Sequence, residues 1–171
     1  MAYLAEFCRF LIFILLVLAA WGKTASWSKF ADSLAATLHL AAPWRSAAAL
    51  GLITIEWSLA ALLILDGPWR ALAMQAALLL FVCFALFIAS ILLRHRLVSC
   101  HCFGQENRHV NGHDFYRALI LIAACCIMLN FTSSDLVVTP ASQWLLLGCA
   151  FLFARLTIHL SDVVMILRHD A

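Results

Sequence analysis

The chain has 171 residues, 65% of them hydrophobic and 12% charged, with a mean hydropathy of +1.00, which lies well outside the range of water-soluble domains. A formal net charge of +2 and only 11 scattered Lys and Arg residues exclude the basic stripe that nucleic-acid binding requires. Of the seven cysteines, Cys8, Cys83, Cys125, Cys126 and Cys149 sit inside apolar runs, where cysteine behaves as a small hydrophobe, so the count does not describe a disulfide scaffold.

In chain order, the first apolar run covers about residues 7–22 and carries Arg9 as an early charge. The small-residue pattern at "LAAW" is a poor cleavage site and no polar mature domain follows, so a retained anchor is expected rather than a cleaved signal peptide. Residues 26–42 space Trp27, Phe30, Leu34 and Leu38 as the apolar stripe of an amphipathic helix lying along the interface. The run 46–65 is long enough to span a bilayer and has one charge, Glu56, near its middle. "DGPW" is a turn, with Pro68 suited to the first turn of a third span over 70–93. A polar break at 94–114 follows, then a fourth span at about 115–131. A last run at 143–167 is interrupted by Arg155, His159 and Asp162, whose spacing puts them on one helical face. Trp21, Trp44, Trp57, Trp69 and Trp144 fall mostly near run ends, as interfacial anchors do. The expected fold class is therefore all-α: one integral membrane domain over 1–171, a helical bundle of four or five transmembrane helices plus one interfacial amphipathic helix. A bilayer admits helices because their backbones satisfy their own hydrogen bonds.

The polar break gathers Arg94, His95, Arg96, Cys100, His101, Cys102, Gly104, His109 and His113. A disulfide between residues i and i+2 closes a small ring that meets the usual distances and torsions poorly. Such bonds are labile, so "CHC" points to a redox centre more readily than to a staple. Gly104 lets the backbone turn tightly, and Arg94, Arg96 and a protonated His101 favour the thiolate that attacks disulfides. The rival for these residues is metal. His95, Cys100, Cys102, His109 and His113 supply sulfur and imidazole donors suited to zinc or copper(I), although paired zinc cysteines usually stand two to four residues apart. Glu56, halfway through an apolar helix, costs several kcal/mol unless protonated or paired, and Arg155 is its expected counter-ion, in either a proton-handling or a purely structural pair.

These residues carry a resemblance. "CHCFG" resembles the Cys-x-Cys-Phe-Gly signature of the MauE branch of the DoxX-like membrane proteins, "WGKTASWSKFADSL" is similar to that family's Gly-Lys segment and Phe-containing amphipathic stretch, and "ITIEWSLAALLILDG" to its Glu-bearing second span. His101 replaces the Gly often found between the cysteines. The resemblance covers about residues 7–131. It implies a bundle in a bacterial-type inner membrane that helps a thioredoxin-like partner form disulfides in another protein, with Cys100 and Cys102 as the redox pair and Glu56 as the intramembrane acid. The expected function is thus thiol–disulfide exchange with a thioredoxin-like partner or substrate protein, with quinone a candidate electron carrier. The alternatives are a zinc- or copper-binding membrane protein and a non-catalytic subunit of a membrane complex. The resemblance places the redox loop outside the cytoplasm, where disulfides persist. The loop charges, with Lys23, Lys29, Arg45, Arg94, Arg96, Arg108, Arg117 and Arg168 on that side against Arg9 and Arg70 on the other, run against the positive-inside tendency.

Overall fold

The computed structural model describes the backbone of residues 2–38, 41–65, 67, 69–93, 112–131 and 140–169, and the side chains of most of these except 158–169. They form six helices: α1 (Ala2–Ala25), α2 (Trp27–Leu38), α3 (Ala42–Ile64), α4 (Trp69–Leu93), α5 (Gly112–Phe131) and α6 (Pro140–His169). Three of them, over Tyr3–Ala25, Pro43–Ile64 and Trp69–Leu93, are long and apolar enough to cross a membrane. Within residues 26–42, expected to form an amphipathic helix, the structure has α2, twelve residues long.

Local chemistry sets the helix ends. α1 continues to Ala25, and Ser26 alone separates it from α2. The Ser26 hydroxyl donates to the Gly22 carbonyl at 2.7 Å, and the Phe30 N–H bonds the Ser26 carbonyl at 3.0 Å, so few backbone groups at the corner go unpaired. α3 starts behind an extended Ala41 with a proline in its first turn, the position where a missing N–H costs nothing. Between α3 and α4 the chain reverses through Gly67, whose φ of 156° suits glycine. The Arg70 N–H donates to the Gly67 carbonyl at 3.1 Å as α4 begins.

α1 is the centre of the assembly, packing on α3, α5 and α6, while α4 packs on α3 and α5, and α2 lies on α3. α1, α3, α4 and α5 thus make a four-helix ring in which α1 and α4 are diagonal. α2 covers one flank and α6 lies outside α1. The tight half of the ring is filled by Leu11, Ile12 and Leu15 of α1, Leu63 of α3, Met74 and Ala77 of α4, and Cys125 and Met128 of α5. Ala73 and Ala77 of α4 and Ala150 and Ala154 of α6 are buried one turn apart, the small-residue spacing that brings helices into close contact in lipid. The opposite face of α4 exposes Leu72, Leu79, Leu86 and Leu93, spaced by seven. That is a stripe fit for acyl chains and not for water. Hydroxyls on the helices are satisfied locally: Thr24, Ser58 and Thr157 each donate at 2.7 Å to a carbonyl four residues back, as a lipid environment demands.

Candidate functional site

Helix direction follows from two contacts. Arg70 at the start of α4 bonds Glu6 at the start of α1, and α4 begins just after α3 ends, so the end of α3 lies beside the start of α1 and the two helices are antiparallel. Side chains tilt towards the N-terminus of their own helix. Lys23, in the last turn of α1, therefore leans into the bundle, and Glu56 on α3 leans towards it. The Lys23 ammonium donates to Glu56 Oε1, and both side chains are more than nine-tenths buried. The Lys23 ammonium also lies 5.7 Å from the centre of the Phe30 ring of α2, within cation–π range. The second carboxylate oxygen, Glu56 Oε2, is buried without a hydrogen-bond partner among the described residues.

The expected partner of Glu56 was Arg155, and the structure corrects this. Arg155 is exposed on α6, and among the described residues α6 packs on α1 and α5 and makes no contact with α3. A buried carboxylate takes a cation at its own depth on a touching helix, and Lys23 satisfies both conditions. The sequence carried a signal for it. The buried positions Cys8, Ile12, Leu15, Ala19 and Lys23 advance by three or four, so Lys23 is the next place on the inward stripe of α1 and not part of a linker.

A cavity of about 310 Å³ opens beside this pair, between the diagonal helices α1 and α4. Leu15, Leu16 and Ala19 of α1 and Leu80, Phe81 and Phe84 of α4 form its main walls. Phe30 and Leu34 of α2, Leu52 of α3, Phe87 and Cys83 of α4, and Leu121 of α5 complete it, with the oppositely charged Lys23 and Glu56 also on its wall. It lies in the half of the ring towards the end of α4. Phe87 is roughly 9 Å along the helix axis from Leu93, the last described residue before 94–111.

A second ionic group ties the other end of the bundle. Glu6 binds Arg9 at 2.6 Å through Oε2 and Arg70 through Oε1, and Arg9 lies 4.9 Å from the Phe10 ring centre. On α5, Arg117 is buried and reaches Asp114 at 3.6 Å.

Of the other sequence-predicted site residues, Cys100, Cys102, His101, Gly104, Arg94 and Arg96 lie outside the described residues, as do His95 and His109. His113 falls in the first turn of α5, where only its backbone is described. Among the described residues no three His, Cys, Asp or Glu side chains group as a metal site.

Comparison with curated proteins and with solved structures finds no match. The family model described as methylamine utilisation protein MauE matches residues 1–131, from α1 through α5. With three helices able to span the bilayer, the chain is a multi-pass membrane protein that belongs to the MauE family.

Proposed function

We propose that this chain is a membrane thiol–disulfide redox protein that serves protein maturation in methylamine utilisation, with Cys100 and Cys102 as the exchanging pair. The observation that carries this reading is a Cys-x-Cys-Phe-Gly element in the polar break of a MauE-family chain. In the oxidised form a thiolate of a thioredoxin-like partner or of a substrate protein attacks one sulfur of the pair and forms a mixed disulfide. The partner's second thiolate then releases it, leaving the partner oxidised and Cys100 and Cys102 as thiols. Two electrons pass to the pair. The small ring makes the bond easy to open, Arg94, Arg96 and His101 favour the thiolate, and Gly104 permits the turn.

The reading places the protein in a bacterial-type inner membrane, among DoxX-like proteins, with α5 and α6 crossing as further spans and residues 94–111 on the extracytoplasmic face. The charge conflict in this orientation is eased because Lys23 and Arg117 are buried inside the bundle, whereas the positive-inside tendency concerns loop cations. Glu56 is the intramembrane acid of this reading, held by Lys23.

The test is mass-tagging of Cys100 and Cys102 in chain whose other five cysteines are replaced by alanine, before and after reductant. One disulfide that opens with reductant and reforms with oxidised thioredoxin-like protein is expected. Two thiols that no oxidant couples would overturn the assignment.

A further inference from the structure

We propose that the cavity between α1 and α4 is a binding site for a neutral, membrane-dissolved molecule with an aromatic ring and a phenolic hydroxyl, the chemistry of a lipophilic quinol. Its volume of about 310 Å³ is roughly twice that of an engineered apolar cavity that holds benzene, and it reaches the lower end of ordinary ligand pockets. That is room for a substituted ring and the first part of a tail. Phe30, Phe81, Phe84 and Phe87 give the walls aromatic surfaces that favour a flat ring in offset or edge contact.

The polar requirement is narrow. Glu56 Oε2 is buried, lines the cavity and accepts no hydrogen bond among the described residues. A buried acceptor left unmade is costly, and a hydroxyl satisfies it. The adjacent Lys23 ammonium has three protons and gives one to Glu56 Oε1, so it can also donate to the hydroxyl oxygen. Lys23 and Glu56 already balance each other, and a ligand with its own net charge would add an uncompensated charge between apolar walls. Cys83, which is exposed, lines the cavity from α4. It marks a mouth on the flank of a membrane-spanning helix, where a ligand dissolved in the bilayer would enter.

The site stands independently of disulfide exchange, and the experiment is arranged to keep the two apart. Purified chain in nanodiscs, native and with Cys100→Ser and Cys102→Ser together, is titrated anaerobically with decyl-hydroquinone, with its dimethyl ether and with dodecanol. The hydroquinone is expected to bind both forms about tenfold or more tightly than the ether, as one hydrogen bond to a buried carboxylate predicts, and more tightly than dodecanol. The double variant Lys23→Met and Glu56→Leu, which leaves no unpaired charge, is expected to lose the preference for hydroquinone over ether. Cys83→Trp, a change at the exposed mouth that spares the core, is expected to weaken hydroquinone binding about tenfold with helix content unchanged. Equal binding of hydroquinone and ether, equal binding of dodecanol, or a preference that survives in the Lys23 and Glu56 double variant overturns the proposal.

Discussion

Glu56→Leu is expected to destabilise the bundle by far more than its size suggests, and Lys23→Met to do the same. The Lys23 side chain is 4% exposed and the Glu56 side chain 8%, so neither charge reaches water once its partner is gone. Breaking a buried pair from one side costs about 3–5 kcal/mol, whereas replacing both members with apolar residues of similar volume is neutral or stabilising. The single changes are each a large share of a typical domain stability of about 5–15 kcal/mol. Glu56→Leu, Lys23→Met and the double variant are compared with the native chain by equilibrium unfolding in mixed micelles. Each single variant should lose about 3 kcal/mol or more and the double variant should return close to native. The resulting coupling lies far beyond the roughly 0.5 kcal/mol scatter of independent sites. Additive single effects, or single losses under about 1 kcal/mol, would refute the claim that the two charges sustain each other inside the membrane domain.

Two further outcomes use the same unfolding assay and a labelling assay. Arg70→Ala removes a partner from the Glu6 carboxylate, which it shares with Arg9, and should cost about 1.5–3 kcal/mol as loss of a charged hydrogen bond. Arg45→Ala opens only the exposed 2.5 Å pair with Asp32 between α2 and α3 and should cost less than about 1 kcal/mol; the reverse order would contradict the burial assigned to each. In mild detergent at alkaline pH, where water reaches the surface of the bundle and thiolate forms there, a maleimide should modify Cys83, Cys126 and Cys149, which are exposed, within the time that Cys8 and Cys125, which are buried, stay protected. Mass mapping of the tagged peptides reads the result, and early modification of Cys125 would show that the α1–α5 contact is wrong.

The long apolar helices were legible because long apolar runs leave the chain few alternatives. The expected 46–65 and 70–93 correspond to α3 over Ala42–Ile64 and α4 over Trp69–Leu93. "DGPW" likewise announced the reversal at Gly67, since a helix does not continue through that combination. Lys23 reads in the sequence as a loop cation but is buried in the last turn of α1, for a physical reason. Window hydropathy sees a cation at the edge of an apolar run as the beginning of a loop, yet its four-carbon stem can run back along the helix and deliver the charge inwards. Arg155 suits Glu56 by sign alone, and composition holds no information about which helices touch. The cavity could not be read at all. It arises because α1 and α4 stand diagonally in the ring, and diagonals are a property of packing, with Phe81, Phe84 and Phe87 reading in sequence as ordinary core.

The packing around α1 bears on how the helices depend on one another. α3, α5 and α6 each lie against α1, and the family match ends at residue 131, before α6 begins. α1 thus offers the surface on which three helices that follow it in the chain are packed. Without the carboxylate of α3 the Lys23 ammonium has no buried counter-ion among the described residues, and its stem is long enough to carry the charge to the headgroups. The ammonium can therefore sit inside the bundle only where α1 and α3 lie together, so that one ion pair makes the burial of each helix conditional on the other.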